Sequence, residues 1–290
     1  MIDIHVHVGK WDKTRRDFDE HALLSKMDDL RIDRAVLLPV VSPESFFEVI
    51  PVRDVVAIAR RHPDRIIPFC NFDPRNDGNK PDTDFSWILE EYRQLGCKGV
   101  GEVTANLLFD DPRCQNLFHQ CGQAGMPVLF HTADRVGGVY GLADDPGLPR
   151  LERMLRDFPA TNFIGHAMAF WAEIDGNITD EARGGYPKGK IEKEGRLWKL
   201  LRTYPNLYGD LSAGSGYNAI SRDPEAGIRF MEEFQNKLLF GTDIGHVNQD
   251  VPIVPYFESL RNERRLSTSA YQKITNDNFQ ALLHLDGKCA

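Results

Sequence analysis

The sequence predicts an α/β fold: a (β/α)8 TIM barrel in one domain, residues 1–290, with a C-terminal helical tail. Three observations predict it. Short β-rich runs alternate with amphipathic helical stretches along the whole chain. The residues that end those runs recur at a nearly constant interval. Gly, Pro and Asp stand where the intervening helices should stop and start. No linker or shift in composition divides the chain, and 290 residues suit a barrel, which typically takes about 250.

The eight runs span residues 2–8, 34–41, 66–73, 99–105, 127–133, 162–167, 206–212 and 237–244. Near their exits stand His5, Pro39, Asn71, Glu102, His131, His166, Asp210 and Asp243, with gaps of 34, 32, 31, 29, 35, 44 and 33 residues. Each gap fits one strand, one helix and two loops, and strands that alternate with helices pair in parallel. Eight units favour closure into a barrel. The competing architecture, an open doubly wound sheet, would carry a Gly-x-Gly-x-x-Gly turn after its first strand if it bound a dinucleotide; none is present, and no cofactor-binding residues are assigned.

Ala22, Leu23, Met27 and Leu30 share one helix face, as do Val55, Ile58 and Ala59, and Leu151, Met154, Leu155 and Phe158. His62-Pro63, Leu95-Gly96, Ala124-Gly125, Phe158-Pro159 and Tyr204-Pro205 read as helix ends. Asp111-Pro112 and Asp223-Pro224 read as helix starts, a capping carboxylate followed by a proline in the first turn. The long gap after His166 marks an insertion, in which residues 184–190 form a loop by composition. Beyond Asp243, Tyr271, Ile274, Phe279, Leu282 and Leu283 form a tail face packed on the barrel.

The composition, 41% hydrophobic and 27% charged, is that of a globular chain. A net charge of −8 argues against nucleic acid as a partner and leaves a small-molecule substrate, with a homo-oligomer open. No apolar run approaches the length of a membrane span, and the N-terminus has no signal-peptide pattern. The five cysteines, Cys70, Cys97, Cys114, Cys121 and Cys289, form no Cys-x-x-Cys pair; reduced thiols in a cytoplasmic protein are expected.

The chemistry lies at the strand exits, where a barrel of this kind places its active site. In Asp3-Ile4-His5-Val6-His7-Val8, period-two alternation puts Ile4, Val6 and Val8 on one face and Asp3, His5 and His7 on the other. Two imidazoles so spaced can converge on one ion. Alone, the pair is weak evidence, and core or surface histidines are the readier reading. Glu102, His131, His166 and Asp243 change the balance, because each ends an apolar run, where an unpaired polar group is costly. A metal satisfies them together. His21, His62, His119 and His284 fall in helical stretches and read as structural or surface residues.

With those residues in view, the chain resembles the amidohydrolase superfamily, in particular its Amidohydrolase 2 branch of predicted metal-dependent hydrolases and relatives of aminocarboxymuconate semialdehyde decarboxylase. The resemblance runs from His5/His7 through Gly241-Thr242-Asp243 to the tail Ile274-Thr275-Asn276-Asp277-Asn278-Phe279-Gln280-Ala281-Leu282-Leu283. It implies the metallo-dependent hydrolase type of barrel and a divalent metal, zinc foremost, as one or two ions. It implies His5, His7 and Asp243 as ligands of a first ion, with His131 and His166 as ligands of a second. In one-metal members His131 completes the first site and His166 is free to act on substrate or water. Glu102 stands where many members carry a bridging carboxylated lysine. Asp243 is implied as the general base. Zinc lowers the pKa of water it binds to about 7, which suits hydrolysis at neutral pH.

The expected activity is hydrolysis of an amide or an ester or lactone, a C–N or C–O bond; a decarboxylase using the same ligands, and a metal-free binding protein, are the other readings. Asp210 reads either as a partner of a metal-bound histidine or as a structural residue. Arg135, Trp171, Tyr217 and His246 follow strand exits and are candidate substrate contacts, Arg135 for a carboxylate.

Overall fold

Eight parallel strands close into a ring in the computed structural model, which describes residues 1–10, 18–45 and 50–285. In chain order they are Ile2–Val6, Arg34–Leu37, Ile66–Pro68, Val100–Val103, Val128–Ala133, Phe163–His166, Leu207–Asp210 and Leu238–Leu239. The first three pair in one sheet and the last five in another. A parallel bridge from Cys70 to Val100 joins the third strand to the fourth. At the seam between last and first strands, Val6 bridges Ile244, and the Ile4 and His7 amides donate to Phe240 and Ile244. A two-residue strand, Leu142–Ala143, adds to the edge of the fifth. All eight expected strands are present, each shorter than its apolar run.

The punctuation also holds. His62, Leu95, Ala124, Phe158 and Tyr204 are the C-caps of five helices. Asp111 and Asp223 cap Pro112–Gln123 and Pro224–Glu233, each carboxylate accepting a first-turn amide. Residues 184–190 are neither helix nor strand. Upstream of them, the insertion is pinned by a buried ion pair, Arg183 Nε to Glu173 Oε1 at 2.9 Å.

Two apolar layers result. Alternate strand residues Val128, Phe130, Phe163, Leu238 and Phe240 face the surrounding helices. Their neighbours Leu129, Ile164 and Leu239 join Val36, Leu38, Ile67 and Phe69 inside the barrel. The first strand departs from simple alternation. Ile2 and Ile4 belong to the inner layer, whereas Val6 and Val8 belong to the outer. The register slips between Asp3 and Val6, so one extra residue is absorbed there. Ile4 therefore does not share a face with Val6, as strict period two required. The tail is likewise divided: Ile274 and Tyr271 pack on the outer layer, while Phe279, Leu282 and Leu283 enter the inner one.

Cys70, Cys97, Cys114 and Cys121 are free and buried; Cys289 lies outside the described residues. Among the described residues no helix is long and apolar enough to cross a membrane.

Phe279 is 0% exposed and fills the inner layer. Phe279→Ala should cost about 3–5 kcal/mol of unfolding free energy, the usual range for an emptied aromatic core site. Urea unfolding measures it, and a loss below about 1 kcal/mol would show that the tail does not plug the barrel.

Candidate metal centre

The strand exits bring His5, His7, Glu102, His131, His166 and Asp243 to one end of the barrel. Backbone geometry helps to aim them. Asp243 takes a left-handed conformation, φ 57°, tolerable for Asp, and its amide donates to the His5 carbonyl at 2.8 Å. Gly101, before Glu102, has φ +148°, and a Cβ there would lie 2.5 Å from the Leu129 carbonyl oxygen. Only glycine lets the fourth strand approach the fifth this closely. Asn71, at the third exit, donates its Nδ2 to the Glu102 carbonyl at 2.5 Å.

The hydrogen bonds fix which imidazole nitrogens are donors. His5 Nδ1 lies 2.7 Å from Asp210 Oδ2, and His7 Nδ1 lies 3.1 Å from the Leu38 carbonyl oxygen. Carbonyls and ionised carboxylates only accept, so both Nδ1 atoms carry hydrogen. The two Nε2 atoms then face each other at 3.0 Å. Glu102 Oε2 lies 3.5 and 3.6 Å from them, and Asp243 Oδ1 also lies 3.5 and 3.6 Å from them. Two imidazole Nε2 atoms and two carboxylates pointed at one spot repel unless positive charge lies between them, supplied by a proton on His5 or by a cation that replaces it. A tetrahedral ion with bonds of about 2.0–2.1 Å sets its ligands about 3.3 Å apart, close to these separations. The residues fit a divalent metal on this ground.

The remaining histidines take different parts. His166 Nδ1 donates to Ser212 Oγ at 3.0 Å and toward Asp210 Oδ2 at 3.1 Å. Its Nε2 points to Glu102 Oε1, 3.8 Å away. His131 turns Nδ1 to Glu102 Oε1 at 2.8 Å and so orients that carboxylate. Among the described residues two donor groups emerge, each with its ligand atoms within 4.8 Å of one another: His5, His7 and Asp243; and His5, Glu102 and His166. They share His5, and His131 is in neither. His21 and His119 are exposed on helices, His62 caps a helix, and His284 is exposed beyond the last helix.

Asp210 holds the arrangement in place. Besides the two imidazoles it accepts from the Ser212 hydroxyl and amide, both at 2.9 Å. Burial opposes its charge, but His166 and His5 hold it below the usual carboxylate range. Burial likewise opposes Glu102, yet His5 and His131 hold it well below 4.5. For His5, burial pushes the pKa down, but Asp243, Glu102 and Asp210 outweigh it and hold it well above 6.5. Burial lowers His131, an effect Glu102 only partly offsets. Asp3 points away from the donors to Thr242, whose hydroxyl and amide it accepts, and burial raises it to about 7.

A cavity of about 280 Å³ opens beside His131, lined also by Arg135, Tyr140 and Met168. Of the four candidate substrate contacts, Arg135 lines it. Trp171 is buried, its indole N–H donating to the Asp210 carbonyl at 2.8 Å. Tyr217 is half-buried against Tyr256, and His246 is half-buried in the loop after Asp243. Ser212, Asn71 and Tyr140 were not singled out by the sequence. They are common residue types, and only the strand-exit positions of Ser212 and Asn71 offered a signal.

The family model described as Amidohydrolase matches residues 2–285. No curated protein matches the chain. Among solved structures, an uncharacterized TIM-barrel protein from Bordetella bronchiseptica is 18% identical, with a TM-score of 0.63 over 92% of this chain and 83% of that one. A probable 2-pyrone-4,6-dicarboxylic acid hydrolase from Acinetobacter baumannii, with citric acid bound, is 16% identical, with a TM-score of 0.57 over 98% of each chain. The 5-carboxyvanillate decarboxylase of Novosphingobium aromaticivorans, complexed with manganese and 4-hydroxy-3-methoxy-5-nitrobenzoic acid, is 15% identical. Its TM-score is 0.55 over 93% of this chain and 81% of that one.

Metal uptake should release protons in neutral buffer, because His5 exchanges the proton its carboxylate neighbours favour for an ion. Affinity should therefore fall as pH falls through the raised His5 value. Calorimetry in buffers of different ionisation heat counts the protons, and zero release would contradict the geometry. Asp210→Asn should weaken metal binding about 10–100-fold in a chelator competition, since a neutral amide oxygen is a weaker acceptor for the two rings and its NH2 would face the Ser212 amide that now donates to Oδ1.

Proposed function

This chain belongs to the amidohydrolase family, and we propose that within it the chain is a metal-dependent hydrolase of a C–N or C–O bond, an amide, ester or lactone, in a small molecule. The observation that carries the reading is the exposure of the donors. The side chains of His5, His7 and Glu102 are 0%, 1% and 6% exposed, whereas that of Asp243 is 21% exposed. Asp243 is thus the base that substrate and water can reach. It takes the proton of the attacking water and delivers it to the leaving group. His166, held through Nδ1 by Ser212 and Asp210, keeps its Nε2 toward the same space and is the second catalytic group.

His5, His7, Glu102 and Asp243 would hold the ion. A divalent metal supplies Lewis acidity there, polarising a carbonyl and easing the ionisation of water. We assign one ion, because both donor groups draw on the single lone pair of His5 Nε2. In this assignment His131 orients Glu102. Zinc is the first choice for two imidazoles and two carboxylates, and manganese, the ion in the Novosphingobium decarboxylase, accepts the same donors.

Decarboxylation is the second reading, favoured by the activity of that structural neighbour. The two are separated by assaying lactones, esters and amides in ¹⁸O-labelled water beside hydroxylated aromatic acids. Hydrolysis places the label in the product acid. Release of CO₂ with no labelled product would overturn our reading. Asp243→Asn should lower kcat by about 10²–10⁴-fold, the usual contribution of a positioned base. Elemental analysis should return close to one ion per wild-type chain.

A further inference from the structure

The end of the barrel opposite the donors carries a second cavity. Arg34 and Ile66 open the second and third strands, and Lys98 lies just before the fourth, so all three stand at the N-terminal ends of the strands. With Arg60, from the last turn of helix Val52–Arg61, and Leu95, the C-cap of helix Ser86–Gln94, they line a space of about 240 Å³. The rest of its described lining is apolar, Ile67 included, and none of it is acidic. Three cations thus stand around an apolar wall. Arg34 is half-buried, and its Nε is closed off from solvent with no acceptor. Arg60 and Lys98 are exposed, and neither side chain forms a hydrogen bond or an ion pair. Neighbouring cations do find carboxylates: Arg61 pairs with Glu20, and Arg65 Nη2 lies 2.7 Å from Asp28 Oδ1. In a chain of net charge −8, three unanswered cations around one cavity are a local reversal of sign.

We propose that this cavity is a second binding site, for a small organic carboxylate with an apolar body, a single ring or a short chain. Charge complementarity selects the anion. Arginine and lysine only donate, a carboxylate only accepts, and no lining acid offsets the three positive charges. Arg60 and Lys98 are long and held by no partner, so their heads can close on a carboxylate while their stems lie along the apolar wall. Ile66, Ile67 and Leu95 offer surface to the body of the ligand, which an inorganic anion lacks. The volume, about 240 Å³, falls below the usual range of ligand sites, about 300–1,000 Å³, and suits one ring. The site lies apart from the metal centre, and its ligand does not depend on which reaction that centre performs.

The test titrates benzoate, acetate and benzamide into the full-length protein as purified, with its Ile, Leu and Val methyl groups labelled for NMR. Benzoate should shift the methyls of Ile66, Ile67 and Leu95. It should bind about tenfold more tightly than acetate, which lacks the ring, and than benzamide, which lacks the charge. Its affinity should fall as sodium chloride rises through about 0.1 M, where charges more than about 10 Å apart are screened. Arg60→Gln combined with Lys98→Gln, both at exposed positions, should weaken benzoate about tenfold. Arg34→Met keeps the stem and removes the charge, and should weaken it as well; should that variant fail to fold, the double variant decides. No binding at millimolar benzoate, shifts confined to Val139 beside the metal centre, benzamide binding as tightly as benzoate, or an unchanged affinity in the double variant overturns the site. Acetate binding as tightly as benzoate overturns the part given to the apolar wall.

Discussion

One buried carboxylate sets the chemistry of this barrel. Asp210 accepts from His5, His166 and Ser212, and those contacts decide which nitrogen of each ring keeps a lone pair. A carboxylate with no exposure is expensive unless its oxygens are fully engaged, and here hydroxyl, amide and two imidazoles engage them. Rotating either ring would strand this charge. The donor geometry is therefore a by-product of satisfying Asp210, and it is in place before any ion arrives.

The two ends of the barrel solve opposite problems. Inside the ring, aliphatic side chains fill the middle, and the tail supplies Phe279, Leu282 and Leu283 to complete the inner layer. At the other end the strands finish in charged groups, tolerable only because each has a partner: Glu102 with His131 and Asp210 with His5. The filled interior anchors the strands from which the polar groups project, so their separations are held by packing rather than by loops.

Much of this was legible in the sequence because it is periodic or chemically unambiguous. Eight apolar runs, five helix stops and two Asp-Pro caps all depend on local physics, and the structure repeats them. The first strand was not legible in full. Its slip between Asp3 and Val6 arises from pairing with the second strand, and no local pattern in Asp3-Ile4-His5-Val6 announces it. His131 shows a second limit. Its place at a strand exit was readable, but which nitrogen it turns, and toward what, depends on Glu102 across the sheet. Asp210 was balanced between two readings because a single Asp looks alike whether it grips a ring or a loop.

The seam between the last and first strands has a consequence for biosynthesis. His5 and His7 are synthesised well before Asp243, which follows the strand that closes the ring against them. A nascent chain carries two imidazoles long before their carboxylate partners exist, and until the eighth strand docks there is no cage. On the proposed reading, ion capture would be a late event that reports completion of the whole ring, and a chain truncated short of that strand would leave the ribosome without an assembled centre.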